Sequence, residues 1–172
     1  MSLELTYRNW SFDADLQIVH ADALLVIDGE VVVDEPLCVD VGLPALLLST
    51  LEEVAPNRWA GIEAWERVPF FCCGCGDPEC RAFSFIVKPI SQAKLELVEV
   101  EERQDQEPRP VAVYEVDKQA YTAQVRVIGA TFLQFVEGLD YRPLYADTVK
   151  TVQRLLERMD EATLGAEEPS AD

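Results

Sequence analysis

Residues 22–36 read DALLVIDGEVVVDEP, and this stretch decides the fold class. Two β-rich runs, Ala23 to Ile27 and Val31 to Val33, flank Asp28-Gly29. Asp-Gly supplies the two positive φ angles of a type I′ turn, so the stretch predicts a tight β-hairpin. Upstream, Leu3, Leu5 and Tyr7 alternate with polar residues and predict a first strand. Downstream, Leu37 to Val41 predicts another strand, with Cys38 inside it. Pro44 suits the first turn of a helix whose apolar side is Leu46, Leu47, Leu48, Leu51 and Val54, ended by Asn57.

Trp59 to Val68 carries both periods, with Trp59, Ile62, Trp65 and Val68 every three residues. It reads as strand after Glu63. Phe83 to Val87 and Leu95 to Val100 predict strands, joined to Val111–Val116 through the charged, proline-punctuated loop Glu101–Pro110. Tyr121 to Val127 also alternates and predicts a strand. Thr131 to Leu139 reads as a short helix, and Asp147 opens a longer one with Val149, Val152, Leu155, Leu156 and Met159 on one face. Strands outnumber helices, and their connections are too short for βαβ crossovers. The sum is α+β: a largely antiparallel sheet with two or three helices packed on one face or end. One domain over residues 1–160 is expected, with an acidic, disordered tail over 161–172.

The 172 residues hold 14 basic and 32 acidic side chains, a net charge of −18. Nucleic-acid affinity rests on cationic neutralisation of phosphate, so direct phosphate binding is not expected. An anionic membrane would repel this surface as well. The charge serves solubility, or recognition of a basic protein partner. No apolar run approaches the ~20 residues of a membrane span. MSLELTYRNW has no basic n-region and no apolar h-region, so a cytoplasmic, reducing compartment is the expectation.

Residues 70–80, FFCCGCGDPEC, place Cys72, Cys73, Cys75 and Cys80 within nine positions, against one other cysteine, Cys38. A tetrahedral zinc site wants four soft ligands, with paired ligands close in sequence. Gly74 and Gly76 let backbone amides turn toward thiolate sulfurs. Asp77-Pro78 makes a turn that brings Cys80 back toward Cys75. Adjacent Cys72 and Cys73 point apart on extended backbone, so the favoured set is Cys73, Cys75 and Cys80, completed by Cys38 or Asp77. His20, the only histidine, has strand-like flanks and is the weaker ligand. Free thiols in a turn, or a disulfide or redox pair at Cys72 and Cys75, remain alternatives.

Cys73-Gly-Cys75-Gly-Asp-Pro-Glu-Cys80, read as C-x-C-G-x-x-x-C, resembles the cysteine core of a loose group of small uncharacterised bacterial proteins. In that group the motif precedes a β-strand. Some small acidic bacterial proteins of this kind travel with toxin systems as immunity-like partners. The resemblance covers about ten residues, and Cys72 lies outside its pattern.

Catalytic constellations are absent from the sequence: no Gly-rich phosphate loop, no G-x-S-x-G and no H-E-x-x-H. Glu99, Glu101 and Glu102 read as a solvated face. Trp59 and Trp65 read as core contacts before pocket walls, and Tyr141 to Tyr145 as a packed connection. Two functions follow. The first is a non-enzymatic intracellular protein-binding module, immunity-like in type, with a structural zinc turn. The second is a small-molecule-binding or thiol-redox protein that works through the cluster. A closed, unreactive site would mark the first; an open ligand position would mark the second.

Overall fold

The computed structural model describes residues 2–61, 63–143 and 147–167. Seven strands form one antiparallel sheet in sequence order: β1 (Leu3–Asp13), β2 (Ile18–Ile27), β3 (Glu30–Cys38), β4 (Phe71–Cys72), β5 (Ala82–Pro89), β6 (Lys94–Glu101) and β7 (Arg109–Asp117). Three helices, α1 (Leu43–Leu48), α2 (Lys118–Val136) and α3 (Thr148–Glu167), pack against it. The architecture is the α+β arrangement that the strand count and short connections predict.

The β2–β3 hairpin turns at Asp28 and Gly29, with φ of 50° and 82°, both in the left-handed region that a type I′ turn needs. Along β2 the odd residues Val19, Ala21, Ala23, Leu25 and Ile27 are buried, which is the period-two pattern of a sheet with one core face. β1 is longer than Leu3–Tyr7 and pairs with β2 along its length, with a register shift between Arg8 and Ser11.

Residues Tyr121 to Val127 are helical, which corrects the strand expected there. The buried residues of α2 are Tyr121, Val125, Ile128, Gly129, Phe132 and Val136, a helical period. The alternation of Tyr121, Ala123, Val125 and Val127 is coincidental, because Ala123 and Val127 face solvent. Asp117 closes β7 and caps the helix, its carboxylate accepting from the Ala120 amide at 2.7 Å. The predicted Thr131–Leu139 helix is the second half of the same element. On α2, Gln124 covers the open edge of β1: Leu5 N–H donates to its Oε1 at 2.6 Å and its Nε2 donates to Leu3 O at 2.9 Å. This side chain does for the edge what another strand would.

α1 is shorter than the helix expected to run to Val54. Ser49 and Thr50 turn their hydroxyls back onto Leu46 O and Leu47 O, at 2.6 and 2.8 Å, and the chain leaves the helix. Val54 instead bridges Val87 of β5. Trp59 to Val68 is not a strand either. It folds back through turns and a single 3-10 turn at Trp65–Arg67, tied off by Asn57 N–H to Arg67 O at 2.8 Å. Ile62 lies outside the described residues, as do Leu144 and Tyr145 of the Tyr141–Tyr145 segment. α3 continues to Glu167, so residues 161–167 of the expected tail are helical; 168–172 lie outside the described residues.

The core lies between sheet and helices. Phe71 and Phe85 meet edge to face at 5.8 Å, and Leu46, Leu47, Phe132, Val152, Leu155 and Met159 close it from the helical side. Among the described residues no helix is long and apolar enough to cross a membrane.

Candidate metal centre

One row of the sheet sets the position of the cysteines. Ser11, His20, Cys38, Cys72 and Ala82 are successive cross-strand partners from β1 to β5. β4 is only two residues long, and the chain leaves the sheet at Cys73. Cys73 N–H still reaches Arg81 O at 3.2 Å, so residues 74–80 form a closed loop across the end of the β4–β5 pair. Gly74 and Gly76, with φ of 76° and 83°, make two left-handed bends inside it. Asp77 turns the chain back: its carboxylate accepts from Glu79 N–H at 2.9 Å, and its carbonyl from Cys80 N–H at 3.0 Å.

The loop brings three sulfurs together. Cys73 Sγ is 3.0 Å from Cys75 Sγ and 2.9 Å from Cys80 Sγ, and all three lie within 4.8 Å of one another. These distances exclude disulfides, which need ~2.05 Å. Thiolates around one zinc at ~2.3 Å stand about 3.8 Å apart, so a cation would spread the group by a little under ~1 Å. All five cysteines are free.

Cys72 and Cys38 do not join the group. Cys38 is buried, and its thiol donates to Asp40 Oδ1 at 2.9 Å. Burial, with the Asp40 charge beside it, pushes that thiol up. Burial also pushes Cys72 up to about 12, against the opposing bond from the Gly74 amide. Asp77, bonded to its own loop amides, is a turn-former, and His20 sits in β2. Among the described residues no fourth cysteine, histidine or carboxylate belongs to the cluster.

Backbone amides face the sulfurs. The Cys75 amide bonds Cys73, and the Asp77 amide bonds Cys75. Such amides stabilise the charged form of a thiol. Burial, with the bonds to its two neighbours, still pushes Cys73 up to about 12. Exposed Cys75 is lowered, chiefly by the hydrogen bond from Cys73. Cys75 therefore ionises more readily than Cys73.

Arg58, which the sequence did not mark, holds the loop in place. Its amide and Nε donate to Glu102 at 2.9 and 3.2 Å. Its two terminal nitrogens reach the carbonyls of Pro78, Cys80 and Ala82 and the Ser84 hydroxyl at 3.2–3.4 Å. The pair is largely withdrawn from water, with side-chain exposures of 17% for Arg58 and 3% for Glu102. Glu102 is therefore no part of a solvated acidic face, and Glu99 is half-buried too; only Glu101 of the three is exposed. A guanidinium fork offers five donors in one plane, which suits a loop presenting several carbonyls. No local pattern announces this, because Arg58 and Glu102 are 44 residues apart.

A cavity of about 150 Å³ lies against the cluster. Its walls are the loop cysteines, Val41, Pro44, Trp65, Val68 and Pro69, with Asp40 and Arg58 also on the lining. Trp65, expected as a core contact, packs against the core and also forms a wall here; Trp59 borders a different, larger cavity. The chain matches no protein-family model, no curated protein and no solved structure.

Proposed function

We propose that this is a metal-binding protein that works through an open cysteine site. Cys73, Cys75 and Cys80 hold a thiophilic divalent cation, zinc first among them, while one coordination position is left for an outside ligand. The observation that carries this reading is the grouping of three sulfurs beside a cavity, with no fourth ligand among the described residues. Structural zinc sites close with four protein ligands, whereas working sites keep three and an open position. The second of the two sequence readings, a working cluster, is favoured on this ground.

Metal content by elemental mass spectrometry, on protein purified without chelator or nickel, tests it. About one zinc per chain is expected in the native protein, and loss of it in Cys80→Ser. Metal-free native protein with Cys73, Cys75 and Cys80 titrating freely would reject the proposal.

Binding of a basic protein is the second reading. A groove of about 880 Å³ beside Trp59 is lined by Glu52, Glu53, Glu66, Asp105 and Glu107, against Arg67 and Arg103. Charge of this sign speeds encounter with a basic surface. Pull-down from native lysate with Glu52, Glu53, Asp105 and Glu107 neutralised tests it; unchanged capture counts against it.

A further inference from the structure

The cavity beside the cluster has a chemistry of its own. A dication held by three thiolates is left with an excess negative charge. Asp40, on the cavity lining, is buried at 6% exposure, and its hydrogen-bond partners are all neutral: the Cys38 thiol, the Tyr141 hydroxyl at 2.7 Å and the Val19 amide. The cations on the lining are already committed, Arg58 to Glu102 and Arg81 to Glu35. A further anion would enter a site with no free positive charge to meet it. Trp65, Pro44, Pro69, Val41 and Val68 supply the apolar part of the lining.

We propose that the fourth position is filled by a neutral imidazole from outside the chain, which enters this cavity beside Trp65 and places one ring nitrogen on the metal. The inference rests on the metal-binding reading above. Zinc accepts imidazole nitrogen as readily as thiolate, and a neutral ring adds no charge. Its body suits a lining that includes an indole and two proline rings. The exchange is simple: a metal-bound water leaves, the ring nitrogen takes its place, and no proton or electron moves. The chain cannot supply the ring itself. His20 is its only histidine, it lies in β2, and it is not among the residues that line the cavity. The source is a free imidazole compound or a histidine on a partner protein; an acidic chain of −18 favours one with basic flanks.

Cobalt(II) in place of zinc makes the site visible. The full-length protein loaded with cobalt would be titrated with imidazole, acetate, 2-mercaptoethanol and a lysine-flanked histidine peptide, following the visible absorption of the metal. A saturable change with imidazole is expected, with acetate and the thiol at least about tenfold weaker. Val68→Trp, which puts an indole into the cavity and leaves every cysteine in place, should weaken imidazole about tenfold while the ligand-free cobalt spectrum persists.

Intact cobalt bands that ignore imidazole would overturn the inference and leave the metal-binding reading standing. Tighter binding of acetate or thiol would overturn the neutral-donor assignment. An unaltered imidazole response in Val68→Trp would overturn the cavity. Absence of cobalt–thiolate bands from native protein would remove the metal-binding reading and this inference with it. Tighter, salt-sensitive binding of the peptide supports the inference with a partner histidine as the source, and equal binding supports it with a free imidazole compound.

Discussion

The β2–β3 hairpin and the cysteine loop are both tight reversals with left-handed glycines, yet they are held in opposite ways. The hairpin is closed by its own ladder, from His20↔Cys38 at one end to Ile27↔Glu30 at the other. Everything it needs lies within about twenty residues of chain. The cysteine loop follows a two-residue strand, and its carbonyls are gathered by an arginine more than a dozen residues away, itself held by Glu102 on the far side of two strands. One reversal is written in its own residues. The other has its own glycine and Asp-Pro turns but is braced from outside by the Arg58 side chain.

The sharpest way to break this contrast is Arg58→Ala. It leaves the buried Glu102 without its charged partner, held only by the residue-58 amide and the Ser84 hydroxyl, and should cost about 3–5 kcal/mol in urea unfolding, with loss of metal retention. The double replacement Arg58→Met with Glu102→Leu should recover much of the stability without recovering metal retention, since no donors then hold the Cys80 carbonyl. Equal metal retention in wild type and double variant would refute a positioning role for Arg58.

Core truncation should act on both regions alike. Phe132→Ala removes a fully buried ring and is expected to cost about 3–5 kcal/mol, with metal stoichiometry unchanged in the folded fraction. The two glycines separate the regions more finely. At Gly29 an added Cβ meets nothing within 4 Å, so Gly29→Ala should cost only its left-handed strain, about 1–2 kcal/mol. At Gly74 the same atom would lie 2.6 Å from both Cβ and Sγ of Cys38. Gly74→Ala should therefore cost more than Gly29→Ala and loosen metal binding as well, read by competition with a chromogenic chelator.

The smallest expected effect is on pH dependence. Burial raises the ionisation of Tyr7, Tyr121 and Tyr141, and of Cys38. The folded state therefore holds these protons more tightly than the unfolded chain. Their contribution is fully present below the unfolded values, ~8.5 for a thiol and ~10 for a phenol, and is lost as pH rises beyond them. The urea midpoint should stay level to about pH 8 and fall through the range above it, less steeply in Tyr141→Phe.

Much of the sheet could be read from sequence because alternation and turn chemistry are local. Asp28-Gly29 announced its hairpin, and Ala23 to Ile27 and Val31 to Val33 its two strands. The β7–α2 junction was not legible by alternation, since Tyr121 to Val127 satisfies period two and a helix at once, and only the longer run to Val136 separates them. Within the cluster, Cys73, Cys75 and Cys80 follow from two glycines, an Asp-Pro turn and the opposed directions of adjacent residues on a strand. Cys38 and Asp77 were weighed as completing ligands, and tertiary contacts assign them elsewhere: one thiol to Asp40, one carboxylate to its own loop.

Local pattern was enough for the antiparallel α+β class, the hairpin turn and the favoured set Cys73, Cys75 and Cys80, because each depends on neighbours in the chain. Which polar groups leave water depends on long-range packing. Arg58 and Glu102 look like two more surface charges, and Asp40 like one polar position of the predicted Leu37–Val41 strand. Their burial, and the cavity with Trp65 on its wall, arise where segments distant in sequence pack together, and no local pattern encodes that meeting.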